Sequence, residues 1–145
     1  MVRNLQRKDL SSVQELDRRG FGADRGFFLE RRLRLFPGLC KVLEKEDEIA
    51  GFILGRRGNG LISAGPWMVQ TGIDNPEFLL HSLALEAGNL PIAIGVLETN
   101  LAAVEVMRSL DFKENLSSPW RMVLGSEAEL GVSPIALAIG SAAKG

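Results

Sequence analysis

The chain has 145 residues, of which 46% are hydrophobic and 24% are charged, and its formal net charge at pH 7 is −1. This composition predicts one folded domain over residues 1–145 and excludes a mainly disordered chain, and the balanced charge gives no reason to expect nucleic acid or an anionic membrane as a partner. No apolar run approaches the roughly 20 residues that cross a bilayer, and the first ten residues are too polar for a secretory signal, so we expect a soluble, cytoplasmic protein.

Two amphipathic helices are predicted at the start of the chain. The first spans Lys8–Arg19, where apolar residues recur at helical spacing and Asp9 is available as a cap. The second begins at Asp24 and ends at Pro37-Gly38, because proline cannot continue the helical hydrogen bonds. We expect Asp24 and Arg25 to set the turn between the helices by capping and a salt bridge. The solvent side of the second helix is predicted to carry Arg31, Arg32 and Arg34.

After position 40 the hydrophobic period changes from that of a helix to that of strands. Short apolar segments begin at Lys41, Ile49 and Leu61, and polar turns separate them, which predicts an antiparallel meander of three strands. The third strand, Leu61–Val69, contains Gly65-Pro66. Proline donates no hydrogen bond to a sheet and glycine weakens a strand, so this pair predicts a bulge or a place where neighbouring strands part.

The second half of the chain alternates helices and strands. A helix is predicted from Pro76, the apolar run Ile92–Leu97 is typical of a central strand, and Asn100 is a preferred cap for a further helix. The fold predicted is α/β (α+β), a mixed sheet with helices on both faces. No glycine-rich phosphate fingerprint follows a strand. Further strand candidates and a last apolar stretch lie at Phe112–Leu116, Trp120–Leu124 and Ile135–Ile139.

The counts of reactive side chains limit the chemistry. One cysteine, Cys40, and one histidine, His81, cannot supply a zinc cluster, so no metal is expected. Cys40 could be a small buried hydrophobe or a thiol acid, and we favour packing. The chain contains no tyrosine, so a phenol cannot act as a catalytic acid.

The stretch LETNLAAVEVMRSLDF, residues 97–112, resembles the second signature of the GNAT N-acetyltransferase superfamily, N-x-x-A-x-x-x-Y-x-x-x-G-F, through Asn100, Ala103 and Phe112. The stretches LDRRGFGADRGFFLERRL, GFILGRRGNGLISAGPW and RMVLG are similar to the YitH-type acetyltransferase domain, which usually forms the C-terminal half of a tandem protein. The resemblance covers nearly the whole chain. It implies a GNAT-like, mostly antiparallel sheet with a splayed central strand pair.

The resemblance also implies a cofactor, acetyl-CoA, and a place for it. In GNAT proteins the pantetheine arm lies where two parallel strands splay apart, and it pairs with the freed backbone like an extra strand. The bulge at Gly65-Pro66 would be this opening, with backbone groups offered by Trp67, Met68 and Val69. Asn100 would hydrogen-bond the pantetheine or the acetyl end. The family transfers the acetyl group by direct attack of an amine, without a covalent enzyme intermediate.

Two motifs of the family are altered in this sequence. The loop that cradles the pyrophosphate aligns with Thr71–Pro76, where Asp74 and Pro76 stand in the two glycine slots and Thr71 replaces Gln or Arg. Gly72 would compensate in part. The usual acid, a tyrosine, aligns with Met107, so proton transfer falls to another group. Glu98, just before Asn100, is the carboxylate nearest the presumed opening and could accept a proton directly or through water.

We therefore hypothesise an acetyl-CoA-dependent N-acetyltransferase acting on a primary amine of a small molecule or peptide, with Asn100 and Glu98 as candidate catalytic residues. An alternative from another class is a catalytically silent GNAT-like module that binds a ligand or packs on a partner, as half of a tandem protein. A homodimer or a partner GNAT domain could complete the acceptor pocket. Simpler roles remain for each candidate: Asn100 as a helix cap, Glu98 as a solvated surface residue, and Gly65-Pro66 as a strand irregularity.

Overall fold

The computed structural model describes residues 1–115 and 133–140. Six strands in this part of the chain form one sheet, and four α-helices accompany them. The strands are β1 (Val2–Asn4), β2 (Cys40–Lys45), β3 (Glu48–Gly58), β4 (Leu61–Val69), β5 (Ile92–Ile94) and β6 (Ala136–Ala138). The helices are α1 (Leu10–Phe21), α2 (Gly26–Leu35), α3 (Glu77–Ala87) and α4 (Leu101–Ser109).

The sheet is mixed and mostly antiparallel, as predicted. Strands β1 to β5 lie side by side in chain order, with antiparallel pairing from β1 to β4 and parallel pairing between β4 and β5. Strand β6 pairs with β4 in the antiparallel sense. The predicted meander is confirmed as β2, β3 and β4. The first strand, β1, was not predicted from the sequence, because three residues carry too little alternation to be recognised.

The two faces of the sheet are covered by different helices. Helices α1 and α2 pack on one face, where their apolar residues meet alternate side chains of β2, β3 and β4. The core on this side contains Leu10, Val13, Leu16, Leu29, Val42, Phe52, Leu54 and Met68. Helices α3 and α4 supply the core of the other face, which contains Leu79, Leu83, Ala103, Met107, Ile53 and Trp67. The prediction of helices on both faces is therefore confirmed.

The strand predicted at Ile92–Leu97 is shorter than expected and ends at Ile94. It ends there because β5 loses its neighbour: the carbonyl of Gly95 accepts a hydrogen bond from the amide of Ile139 instead of from β4. Of the candidate strand Phe112–Leu116, residues 112–115 do not form a strand. The remaining residue, Leu116, and the candidate Trp120–Leu124 lie outside the described residues.

Two expectations for the side chains of the first two helices are wrong. Arg32 does not face solvent: its side chain is buried against the Phe28 ring, and Nη1 donates to the carbonyl of Gly65 at 3.4 Å. Burial and the nearby charge of Arg56 lower the pKa of Arg32. Asp9 does not cap α1 through its side chain; it accepts from the amide of Gln6 and from Arg3.

The turn between α1 and α2 uses a different pair from the one predicted. Asp24 acts as expected, accepting a hydrogen bond from the amide of Gly26 at 2.8 Å. Arg25, however, forms its salt bridge with Asp17 in α1, not with Asp24. Asp17 lies eight residues earlier, so nothing local in the sequence identified it as the partner.

Cys40 is fully buried at the start of β2, and its thiol contacts the carbonyl oxygen of Phe36 at 3.3 Å. Burial raises the pKa of the Cys40 thiol to about 12. The thiol is therefore neutral at physiological pH, and the packing role favoured from the sequence is the one the structure supports.

None of the helices in the described parts of the chain combines the length and the apolar character needed to cross a membrane.

Candidate functional site

Strands β4 and β5 part at Gly65-Pro66. Their parallel pairing joins Ile62 to Ile92 and ends at the pair Ala64–Ile94. The register of β4 against β3 shifts at the same level, and Gly65 takes a φ of 145° before a cis bond to Pro66. Both outcomes predicted for this dipeptide, a bulge and a parting of strands, are confirmed.

Beyond the bulge, β4 keeps its partner on one side and changes it on the other. Trp67, Met68 and Val69 still pair with β3. Their opposite edge no longer meets β5, so it is free to bind another extended segment. In this structure that edge pairs with residues 135–139: Trp67 pairs with Ala138, Met68 with Ala136, and the Val69 amide donates to the Ile135 carbonyl at 2.9 Å.

Trp67 and Met68 point to opposite faces of the sheet, as neighbours in a strand must. The Trp67 side chain is fully buried in the core beneath α3 and α4, and its Nε1 has no hydrogen-bond partner among the described residues. The Met68 side chain packs in the core beneath α1 and α2. Both residues therefore present only backbone groups to the opening, and their role in binding a cofactor stays a prediction.

Asn100 lies across the opening from β4, at the N-terminus of α4. Its Oδ1 accepts a hydrogen bond from the amide of Ala103 at 3.1 Å, which is the capping role expected from the sequence. Its Nδ2 donates to the carbonyl of Ala136 at 2.8 Å. The Oδ1 atom of this side chain thus caps the start of α4, and Nδ2 donates to the segment that occupies the opening.

The two functions of Asn100 can be separated by substitution. Replacement by alanine removes both hydrogen bonds and is expected to lower the free energy of unfolding by about 2 kcal/mol, roughly one for the cap and one for the bond to Ala136. Serine keeps a capping oxygen but is too short to reach Ala136, so Asn100→Ser is expected to recover about half of that loss. Urea unfolding of both variants measures this difference. Equal losses would show that the cap contributes nothing.

The loop after β4 carries the other proposed binding residues. Thr71 and Gly72 are exposed, and Gly72 has a φ of 78° with open space where a side chain would be. The first amides of α3 are partly used within the turn, since Phe78 donates to Asn75 and Leu79 to Pro76. This helix end remains a weak anion site by comparison with a glycine-rich loop.

The charges at this helix end also disfavour an anion. Asp74 is exposed in the loop, and Glu77 is the first residue of α3. A carboxylate near a helix N-terminus stabilises the helix, but it repels a phosphate that would bind there. The structure therefore places acidic residues at the loop that the resemblance assigns to pyrophosphate.

Glu98 is exposed and lies in the turn between β5 and α4, two residues before Asn100. The preceding strand ends at Ile94, so Glu98 does not end it, and the catalytic role of Glu98 stays a prediction. Met107, at the position of the family tyrosine, is buried in the core beneath α3 and α4 and has no polar group to offer.

Sequence reasoning missed two participants in the opening, the carbonyl of Gly95 and the segment around Leu137. The run Ile135–Ile139 is visible as an apolar stretch, yet nothing in its pattern specifies which strand it joins. The glycine at position 95 is visible in the sequence, but its reason is not. A side chain there would contact Ile139, which is far from Gly95 along the chain.

Residues 13–131 match the family model described as "Acetyltransferase (GNAT) domain". The chain belongs to the GNAT acetyltransferase family. This confirms the resemblance seen in residues 97–112, whereas the narrower likeness to the YitH type stays a prediction. No curated protein matches the sequence of this GNAT chain.

Solved structures of other GNAT proteins share the fold. Naa50 of Arabidopsis thaliana, in complex with a CoA-Ac-MVNAL bisubstrate analogue, is 18% identical with a TM-score of 0.65, over 78% of this chain and 82% of that one. Diaminobutyrate acetyltransferase EctA of Paenibacillus lautus, with diaminobutyric acid and coenzyme A, is 18% identical with a TM-score of 0.67, over 76% and 73%. AAC(6')-Iy, with a CoA-S-monomethyl-acetylneamine analogue, is 12% identical with a TM-score of 0.67, over 86% and 98%.

Proposed function

We propose that this GNAT chain is an acetyl-CoA-dependent N-acetyltransferase that transfers an acyl group to a primary amine of a small molecule or peptide. The observation that carries the proposal is the parting of β4 from β5 at Gly65, with the Asn100 amide on its far side. Family membership supports the reaction class. Naa50 and EctA, whose structures hold a peptide-bearing analogue and diaminobutyric acid, support an amine acceptor.

The residues present fit the pantetheine arm on one test that this structure supplies. An extended peptide segment lies in the opening, and its carbonyls accept from the Val69 amide and from Asn100 Nδ2. Pantetheine also carries amide groups along an extended arm, so the same donors suit it. We therefore assign Trp67, Met68, Val69 and Asn100 to this arm, and Thr71 and Gly72 to the pyrophosphate end.

The chain's contribution to catalysis is positioning, proton removal and charge stabilisation. Bound acetyl-CoA supplies an activated acyl group as a thioester. Asn100 holds the bound arm, and Glu98 accepts the proton that the ammonium of the acceptor must lose, directly or through water. The neutral amine would then attack the thioester carbonyl to form the C–N bond; as the C–S bond breaks, the nitrogen would lose its second proton to solvent and the departing thiolate would take a proton from solvent. No tyrosine is needed for this last step in the proposed scheme.

The direct experiment measures both binding and transfer. Calorimetric titration with CoA tests the site, and incubation with radiolabelled acetyl-CoA and a panel of primary amines tests the reaction. We expect binding together with label transfer to at least one amine. Binding without transfer to any amine would favour the silent module, which the acidic pyrophosphate loop and Met107 motivate. No binding at millimolar CoA, either by the unmodified protein or by a folded variant whose opening is free, would contradict the proposal.

The acidic residues at the start of α3 provide a sharper test of where CoA binds. Asp74→Asn combined with Glu77→Gln removes two negative charges from the pyrophosphate end while keeping side-chain size. Because each charge near a helix N-terminus is worth up to about 1 kcal/mol, we expect CoA affinity to rise by about three- to twentyfold, most strongly at low salt. The control is Glu105→Gln on the exposed side of α4, which should leave the affinity unchanged. Equal affinities in all three proteins would place the pyrophosphate elsewhere.

A further inference from the structure

A short segment of this chain, residues 135–139, fills the opening between β4 and β5. Its central part is β6, which pairs with Trp67 and Met68 on one side. On the other side the Ile139 amide donates to the carbonyl of Gly95 at 2.8 Å. The segment thus bridges the two strands at the level where their own pairing has stopped. We call it the plug segment.

The plug segment uses the polar groups that the proposed function assigns to the pantetheine arm. The Val69 amide donates to Ile135, and Asn100 Nδ2 donates to Ala136. A backbone amide that already donates to one carbonyl at this distance has no second strong hydrogen bond to give. The plug segment and a pantetheine arm therefore cannot be bound in the opening together.

Packing reinforces this exclusion. The side chains of Leu137 and Ala138 are buried in the core that also contains Trp67 and Met107. At the bulge, the backbone of Ile139 lies so close to Gly65 that a Cβ at position 65 would overlap its carbonyl oxygen. The opening is therefore filled sterically as well as by hydrogen bonds.

The plug segment is held in the opening by few contacts. Two of its residues, Ala136 and Ala138, contribute only methyl groups, Leu137 is buried, and the two isoleucines at its ends, Ile135 and Ile139, are only partly buried. A strand of three residues also has few main-chain bonds to lose. A ligand that offers carbonyl oxygens to the Val69 amide and to Asn100 Nδ2 can replace these two hydrogen bonds.

We propose that the plug segment is an autoinhibitory element, a pseudo-ligand that occupies the acetyl-CoA opening and must leave before the cofactor binds. The inference rests on the proposed function, and it adds the regulation of that same site. Its thermodynamic consequence is that the apparent association constant for CoA equals the intrinsic constant multiplied by the fraction of molecules in which the opening is free. Any change that releases the plug segment raises the apparent affinity.

Hydrogen exchange on the unmodified protein tests the competition without any substitution. The Ile139 amide is protected by Gly95 in the plugged state and is expected to lose protection by at least about tenfold when CoA saturates the protein. The Val69 amide has a partner in both states and should stay protected. If Ile139 keeps its protection at saturating CoA, plug and cofactor coexist and the inference is overturned.

A substitution within the plug segment tests the same idea from the other side. Leu137→Asp places a charge where the side chain is buried, so the segment is expected to leave the opening and CoA is expected to bind at least about tenfold more tightly. The control is Leu85→Asp, the same change at a leucine that is 86% exposed on α3, which should alter the affinity by less than about twofold. Circular dichroism checks that both variants are folded. If Leu137→Asp unfolds, the exchange experiment on the unmodified protein decides alone.

The outcomes separate this inference from the proposed function. Tight CoA binding that is equal in the unmodified protein and Leu137→Asp, with Ile139 still protected, overturns the plug and leaves the acetyltransferase proposal standing. Failure of Leu137→Asp to bind CoA, although its Ile139 amide exchanges freely and the protein is folded, overturns both. Tighter binding by Leu137→Asp supports both.

Discussion

Replacing Asp17 by asparagine is expected to lower the free energy of unfolding by about 3–5 kcal/mol, because the substitution leaves the charge of Arg25 buried without its counter-ion. Both side chains are more than nine-tenths buried. Two hydrogen bonds join them, from Arg25 Nε to Asp17 Oδ2 at 2.9 Å and from Nη2 to Oδ1 at 2.6 Å. The guanidinium also stacks on the Phe21 ring, 3.7 Å from its centroid.

A control on the same helix distinguishes this buried pair from ordinary surface charge. Glu15 and Arg18 form an exposed ion pair at 3.3 Å, and Glu15→Gln is expected to cost no more than about 0.5 kcal/mol. The double variant Asp17→Leu with Arg25→Met removes both charges at once, so it should be less destabilised than Asp17→Asn. Urea unfolding measures all three. A loss below about 1 kcal/mol for Asp17→Asn would show that Arg25 finds another anion or reaches water.

The Asp17–Arg25 pair also supports one wall of the opening between β4 and β5. Asp17 is in α1, and Arg25 immediately precedes α2, so their contact fixes the corner between the two helices. Both helices pack on the face of the sheet that includes Met68 at the edge of the opening. Loosening the corner is therefore expected to disturb one wall of the opening as well as stability.

Replacing Trp67 by alanine is the second large expected effect, about 3–5 kcal/mol, since a fully buried indole is lost and a cavity remains. Trp67→Phe is the matched variant. It keeps most of the aromatic packing and removes the indole Nε1, which has no hydrogen-bond partner in the described part of the chain. Loss of an unpaired buried donor offsets part of the lost volume, so we expect Trp67→Phe to cost less than about 2 kcal/mol.

Thermal or urea unfolding of the two Trp67 variants measures this difference, and CoA titration adds a separate readout. In the proposed function Trp67 contributes to the opening only through its backbone, so Trp67→Phe should bind CoA much like the unmodified protein. A large loss of CoA affinity in folded Trp67→Phe would mean that the indole itself contacts the ligand. Equal destabilisation by alanine and phenylalanine would mean that Nε1 does have a partner.

The parts of the fold that the sequence predicts well are those whose signals lie within a few residues. The meander follows from alternating strands and polar turns, and the end of α2 and the start of α4 follow from Pro37 and Asn100. The parting of strands was found from the dipeptide Gly65-Pro66 alone, because its cause is local: a missing amide proton and a backbone conformation that glycine adopts easily.

Other features depend on contacts between residues far apart in the chain, and the sequence could not reveal them. Arg32 fits a solvent-facing arginine by its helical position, yet the packing of α2 on the sheet buries it beside Gly65. Arg25 had a nearer carboxylate in Asp24, but the crossing of α1 and α2 brings Asp17 closer. No period or spacing along the chain encodes such a choice.

The sequence by itself determined the three-stranded meander, the place where the sheet opens and the helix cap at its edge, because backbone preferences of single residues and short apolar periods set all three. Only the tertiary structure decided what lies in the opening. The plug segment is more than 60 residues from β4 along the chain, and an apolar strand can pair with any free edge. Which edge it joins depends on where α4 and β5 leave space, and that is a property of the assembled fold.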